Sequence, residues 1–341
     1  MENKRLSVAM SPHATAAAGT RSLMLDVLIA LVPALCAAVY FFGPRALIST
    51  AISVIACVVF EWGYRKAMKQ PDSVGDLSAA VTGVLLAFVC PVTLPYWTLV
   101  IGAFFAIVVT KQLFGGLGKN FVNPALAGRA FLMLCYPVAM TTWAVPGKWA
   151  GLGMSAPDAI TGATPLSADF MHSGILPEAS VLDAFIGNIG GCIGEVSALM
   201  LILGGVYLIV RGVIRPTIPG AYIGTVAVLT LIFAKGDAGA FTWMLYELFG
   251  GGLMLGAFFM ATDYVTSPCT QKGELVYGIG CGLLTVFIRY FGGYPEGVSY
   301  AILIMNICAW LIDQVCKPAR YGVTAEMRAA AKAKAKEGAS K

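Results

Sequence analysis

Charge is scarce in this sequence. Only 12% of its 341 residues are Asp, Glu, Lys or Arg, while 58% are hydrophobic. A soluble domain carries roughly a quarter charged residues, so half that share leaves too little polar surface to cover a globular exterior, and the chain is expected in a lipid bilayer. Histidine is scarcer still: His13 and His172 are the two, and neither lies in an apolar run. A haem held between membrane helices by paired histidines is thereby excluded. Nine cysteines are present, yet no two form C-x-x-C and most sit inside apolar runs, so no metal or iron–sulfur centre built from this chain alone is expected. The net charge of +5 collects at the chain ends and in short loops, which argues against a nucleic-acid partner. A G-x-G-x-x-G following a strand is also missing, as is a soluble segment long enough for a Rossmann fold, so this chain is not expected to hold a dinucleotide site of its own.

Long apolar runs, by contrast, are abundant. A helix needs roughly 20 residues to cross the ~30 Å hydrocarbon layer, and runs near that length recur at 22–42, 46–62, 77–91, 95–111, 122–141, 192–210, 217–234, 243–261, 274–291 and 297–316. The sequence therefore predicts an all-α polytopic membrane protein with about ten crossings. The third run is short and bounded by Pro91 and Pro95, and the fifth holds Pro124, Arg129 and Pro137, so both are expected to be broken or half-length helices. With the N-terminus in the cytoplasm, 19 of the 23 Lys and Arg fall on that side, Lys111, Lys119 and Arg129 among them. Arg45, Lys148, Lys235 and Arg289 fall on the other. Such a bias places both termini of a multi-pass chain in the cytoplasm. The first run has polar flanks and no small-residue cleavage pattern, so it reads as a retained anchor.

The expected organisation is a cytoplasmic segment 1–21, a five-helix half 22–141, an external loop 142–191, a second five-helix half 192–316 and a basic cytoplasmic tail 317–341. An odd number of crossings per half requires any internal repeat to be inverted across the membrane. Lys111-Gln-Leu-Phe114-Gly115-Gly116 after the fourth crossing is matched by Arg289-Tyr-Phe291-Gly292-Gly293 after the ninth, and Gly83-Val-Leu-Leu-Ala-Phe88 by Gly252-Leu-Met-Leu-Gly-Ala-Phe258. Asp26, Glu195, Glu247, Asp263 and Asp313 sit in or at the ends of apolar runs, and most of them are expected to mark helix ends. Asp263 stands apart because Thr262, Thr266 and Ser267 offer oxygens that would complete a cation site. Arg129 either attracts a phosphate or carboxylate or extends to the interface. The Gly-rich segment with Asn120 and Asn123, and the segment from Thr262 to Pro268, would expose backbone amides and carbonyls at membrane depth, which is tolerated only along a cavity or ligand. Read as ordinary turns, the same segments would do no more than start and stop helices.

The external loop contains Asp158-Ala-Ile-Thr161-Gly162-Ala163-Thr164-Pro165. Gly162 and Ala163 leave the backbone uncovered, so a bulky reagent can reach the Thr164 hydroxyl, while Pro165 prevents a helix from shielding it. This pattern resembles the Asp-x-x-Ser/Thr-Gly-Ala-Thr signature at which a flavin transferase attaches FMN through a phosphoester to the last threonine. The signature belongs to two related membrane proteins, the D-type subunit of the Rnf ferredoxin–NAD oxidoreductase and the B-type subunit of the sodium-pumping NADH–quinone reductase. Gly115 to Ala125 and Met260 to Pro268 are similar to the same family, and the likeness runs from the first crossing to Asn306. The first crossing begins near Ser22, without the longer N-terminal extension of the quinone reductase protein, so the D-type Rnf subunit is the better match.

The resemblance implies a membrane subunit of a redox-driven, ion-translocating electron-transfer complex that is inactive alone. Thr164 would carry covalent FMN, with Asp158, Thr161, Gly162 and Ala163 shaping the attachment site. It also implies a second, non-covalent flavin such as riboflavin; Asn120, Asn123, Arg129, Thr262, Asp263 and Thr266 are the candidates for that flavin or for the ion pathway. The expected partners are the other Rnf subunits and a flavin transferase, and the coupling ion is Na⁺ or H⁺. No residue of this chain is expected to act as a catalytic acid, base or metal ligand. An inverted-repeat channel or secondary transporter with no redox role would share the composition and topology; the flavinylation motif separates the two.

Overall fold

Gly43 interrupts the first apolar stretch with φ of 80° and divides it into two long helices, α1 (Thr20–Phe42) and α2 (Pro44–Ala67). Pro44 suits the first helical position, where its missing N–H would have no partner in any case. The computed structural model describes residues 19–147, 152, 166, 179–235, 239–292 and 296–317. Next come α3 (Ser78–Phe88) and α4 (Tyr96–Phe104), which continues as a π-helical stretch, Phe105–Gln112. Then follow α5 (Pro124–Cys135), the short α6 (Pro137–Met140) and α7 (Val181–Ile186). The second half holds α8 (Ala198–Val210), α9 (Thr217–Ile232), α10 (Ala240–Phe249), α11 (Leu253–Leu255) with a π-helical continuation Gly256–Met260, α12 (Gln271–Phe291) and α13 (Val298–Val315). No strand occurs among the described residues; an isolated bridge pairs Pro91 with Cys192.

The protein is an all-α multi-pass membrane protein, and a helix lies in each of the ten apolar runs. By length and composition α1, α2, α12 and α13 are able to cross a membrane, and α10 with α11 makes a fifth span bent by 61°. The others are shorter. As expected, α3 is half-length, and the fifth run breaks at Pro137 into α5 and α6. Two runs differ from expectation. The eighth is not continuous: Gly250-Gly251-Gly252 divides it, and Gly251 and Gly252 adopt φ of 63° and 70°, values that only glycine takes without strain. The sixth begins six residues late, because 192–195 pairs with the chain leaving α3 (Ile193 N–H to Cys90 O, 3.0 Å; Gly194 N–H to Phe88 O, 2.8 Å) instead of coiling.

The two halves pack alike. In the first, α2 lies along α3 and α4, and α4 along α5; in the second, α9 lies along α10 and α12, and α12 along α13. Small residues permit these approaches. A Cβ at Gly83 would stand 2.6 Å from Val54 Cα, and one at Gly278 would stand 2.7 Å from Ala221 Cβ, the close helix contact that dispersion requires where lipid removes the hydrophobic drive. The α1–α8 and α5–α13 contacts join the halves. Large apolar side chains such as Ile55, Val59, Trp62, Ile232, Phe287 and Trp310 are exposed, whereas Arg45, Glu61, Lys111, Arg129, Glu247 and Arg289 are buried. That distribution inverts a soluble protein's and suits a lipid surround. The loop after the first half starts at the end of the bundle where α1 stops, since Gly147 N–H donates to Phe41 O (2.9 Å).

Candidate functional site

Among the described residues, two buried centres hold the candidate site residues and their charged partners. The first is at the end where α1 begins. Chain breaks build it: the π-helical stretch after α4 ends just before Gly115, Gly116 and Gly118, all with positive φ, and α5 is capped by Asn123, whose Oδ1 accepts from Ala125 N (3.0 Å) and Leu126 N (3.4 Å). Across from it the π-helical stretch ends at Met260, and the Asn123 amide donates to Met260 O (3.3 Å). Between these breaks opens a cavity. Its wall is apolar, with Leu85, Phe258 and Phe259, and its polar edge combines Lys111, Asn120, Asn123, Thr262 and Asp263.

Four of the six candidate residues for a second flavin or ion path therefore meet in one cavity. Thr266, a fifth, stands beside them and donates to Asp263 Oδ2 (3.3 Å). The expected cation cage is only partly assembled, because the Thr262 hydroxyl donates back to Phe258 O (2.7 Å) and Ser267 reaches Asp263 through its backbone N–H. Lys111, expected among the cytoplasmic surface charges, is instead buried. Its ammonium donates to Glu61 Oε2 (2.7 Å) and Ser78 Oγ (2.6 Å), and Ser73 Oγ donates to Glu61 Oε1 (2.5 Å).

Arg129 is not in this cavity. Helix α5 carries it inward, and its guanidinium donates to Ser299 Oγ (2.7 Å), lies against Glu296 and stands 3.7 Å from Glu195 Oε1. Of the two readings of Arg129, the carboxylate partner is the one found, and its place among the cytoplasmic positive charges is corrected accordingly. Glu195 and Glu247, expected to mark helix ends, do lie just before α8 and in the last turn of α10, and both are buried. Glu247 accepts from Arg289 Nη1 (2.7 Å), and the same guanidinium donates to the carbonyls of Glu247, Glu296, Gly250 and Gly251. The triple glycine lets the chain wrap that closely. Asp26 does sit near a helix end, accepting from Tyr207 (3.0 Å) and Arg211 (3.2 Å), and Asp313 accepts from Cys269 N (3.1 Å).

What could have flagged the missed pairs is that acids and bases occur in similar number inside the apolar runs, an arrangement costly to insert unless they neutralise one another. Asp158, Thr161, Gly162, Ala163 and Thr164 lie outside the described residues. Leu166, two positions after Thr164, is buried against Gly250 and Gly251. Beyond it, Ser180 and Asp183 cap α7 reciprocally, and the Ser180 hydroxyl holds the Asp183 carboxyl below the usual carboxylate range.

The family model described as NQR2, RnfD, RnfE matches residues 7–322. The chain belongs to this family. Among its NQR2/RnfD/RnfE relatives, the D-type subunit of the Na⁺-translocating ferredoxin:NAD⁺ oxidoreductase complex of Acetobacterium woodii is 48% identical, over 95% of this chain and 98% of the relative. The D-type subunit of the proton-translocating ferredoxin:NAD⁺ oxidoreductase complex of Clostridium ljungdahlii is 42% identical, over 93% and 96%. That of the ion-translocating oxidoreductase complex of Aliivibrio salmonicida is 37% identical, over 92% and 98%. The family thus agrees with the likeness carried by the loop motif and the two Gly- and Thr-rich blocks.

Proposed function

We propose that this chain is the D-type membrane subunit of an ion-translocating ferredoxin–NAD oxidoreductase, a translocase in which it carries FMN as a phosphoester on Thr164 and contributes to the electron path and to ion movement. The observation that carries the reading is the Asp158 to Thr164 motif in a family member whose relatives are named as that subunit. Bound flavin supplies the one- and two-electron redox chemistry, and the protein sets its position and surroundings. Thr164 supplies the attachment oxygen, and Gly162 and Ala163 keep it open to a flavin transferase. The other subunits of the complex supply the ferredoxin and NAD sites. The experiment is a denaturing gel of the polypeptide co-expressed with a flavin transferase: a band fluorescent under ultraviolet light, heavier by one FMN phosphoester, is expected, and a dark band of unmodified mass refutes the reading.

The cavity between the two helix breaks is assigned to a second, non-covalent flavin such as riboflavin, on the chemistry of its lining. Ligand pockets combine apolar walls with a few converging polar groups. Phe258 and Phe259 offer faces for a flat ring system, and Asn120, Asn123 and Lys111 offer amide and ammonium donors to its polar edge. Asp263, at the rim, is assigned to ion coupling. Asp263→Asn is expected to leave Thr164 flavinylated and the complex assembled while lowering ion-dependent electron transfer in vesicles several-fold. Unchanged turnover together with an unchanged ion gradient removes Asp263 from the pathway.

The flavin-bearing loop is assigned to the outer face of the bacterial cell membrane, with both termini in the cytoplasm. A cysteine placed at Ser167, after removal of the native cysteines, is expected to react with a membrane-impermeant thiol reagent in intact cells. Labelling only after lysis would put the loop in the cytoplasm.

A further inference from the structure

The second polar centre has more negative than positive charge. Glu195 and Glu296, both about nine-tenths buried, share the single guanidinium of Arg129. The other guanidinium nearby, Arg289, already has Glu247 as its carboxylate. With all groups ionised, the Arg129 cluster is left with one uncompensated negative charge among the described residues. A charge in such surroundings costs several kcal/mol unless a counter-charge is present.

The geometry shows where that counter-charge belongs. Glu195 Oε1 is buried and accepts no hydrogen bond; Arg129 Nη1, at 3.7 Å, is too far to donate. Glu195 borders a small cavity that Glu296, Gly190, Gly191, Gly251 and Leu166 also line. One oxygen of each glutamate and the Cys192 sulfur all lie within 4.8 Å of one another. Carboxylate oxygens suit a hard cation, and the guanidinium among them disfavours a divalent ion by repulsion. The Cys192 thiol faces both Val89 O (3.3 Å) and Glu296 Oε1 (3.8 Å) and accepts from Arg129 Nη2 (3.8 Å), so as a protonated thiol it adds no charge to the cluster. Glu296 also borders a second cavity, beside Trp143 and Ser299, so the cluster has space on two sides.

We propose that Glu195 and Glu296, oriented by Arg129, form a site for one exchangeable monovalent cation, a proton or a sodium ion. The site sits beside Leu166, at the root of the flavin-bearing loop, and its link to electron transfer rests on the function proposed above. Arg129 is here a positioning residue that keeps the two carboxylates together and sets the excess at a single charge.

The test uses the purified, fully assembled complex without turnover, comparing the wild type with Glu195→Gln and Glu296→Gln, near-isosteric changes that each remove the excess charge. Two quantities are read: equilibrium binding of radioactive sodium, and the infrared carbonyl band of protonated carboxylic acids. If sodium is the occupant, the wild type binds one more Na⁺ per complex than either variant. If a proton is, sodium binding is equal, and the wild type shows a protonated-carboxyl band that Glu195→Gln or Glu296→Gln loses. The wild type alone is informative should a variant not assemble, because absence of both bound Na⁺ and a protonated carboxyl overturns the site. Identical sodium binding and identical infrared bands in wild type and variants overturn it as well. Thr164→Val complex is measured in parallel: signals that persist there keep the cation site even if Thr164 proves to carry no flavin.

Discussion

Arg289→Met is expected to lower the stability of the detergent-solubilised protein by about 3–5 kcal/mol, the range for removing one partner of a buried ion pair. Glu247, which is fully buried, would keep its carboxylate without a counter-ion. The carbonyls of Glu296, Glu247, Gly250 and Gly251 would lose their donor at the same time, and an orphaned buried acceptor costs about 1–3 kcal/mol. Glu247→Gln should cost less, since Arg289 would still be held by four carbonyls. The double variant Arg289→Met/Glu247→Leu separates the two contributions, because it removes the charge imbalance but not the orphaned carbonyls. Thermal unfolding is expected to place it between Arg289→Met and the wild type. Full recovery in the double variant would mean that the ion pair alone matters and that the wrapping of the Gly250–Gly252 break around the guanidinium contributes nothing.

That wrapping also shows where the sequence stopped being legible. Run length and proline position located a helix in every apolar run and anticipated the shortness of α3 and the break at Pro137, because these are local properties of the chain. The break at Gly250 escaped the same reasoning: a triple glycine inside an apolar run is consistent with close helix packing as well as with a bend, and the partner that decides, Arg289, lies 39 residues away. Charges behaved likewise. Counting Lys111 and Arg129 as cytoplasmic surface charge assumes that a basic residue near a helix end reaches water, but Glu61 and the pair Glu195 and Glu296 hold them inside. Conversely, the segments with Asn123 and Asp263 were legible as lining a cavity, because interrupted helices at membrane depth need something to line. The pairing of Asn123 with Met260 across 137 residues was not.

Thr164→Val is expected to abolish covalent flavin altogether. Valine keeps the branched shape at Cβ and removes only the hydroxyl, so a folded, assembled complex with a dark band on a denaturing gel assigns the phosphoester to that oxygen. Thr164→Ser supplies the complementary result: the hydroxyl is restored without the methyl, and fluorescence and the mass increase should return in part or in full. Thr161→Val, three residues upstream in the same motif, should remain labelled. Loss of label in Thr161→Val with Thr164→Val still fluorescent would move the attachment to Thr161. Electron transfer through the complex separates attachment from use. Because Leu166 is buried against Gly250 and Gly251, the loop has a fixed root beside the Arg129 cluster, and a cofactor on Thr164 would be tethered to a rigid part of the bundle. If that tether matters to the electron path, Thr164→Val complex supplied with free FMN should stay slow, whereas restoration of the wild-type rate would show that occupancy is enough and the covalent bond serves only to retain the cofactor.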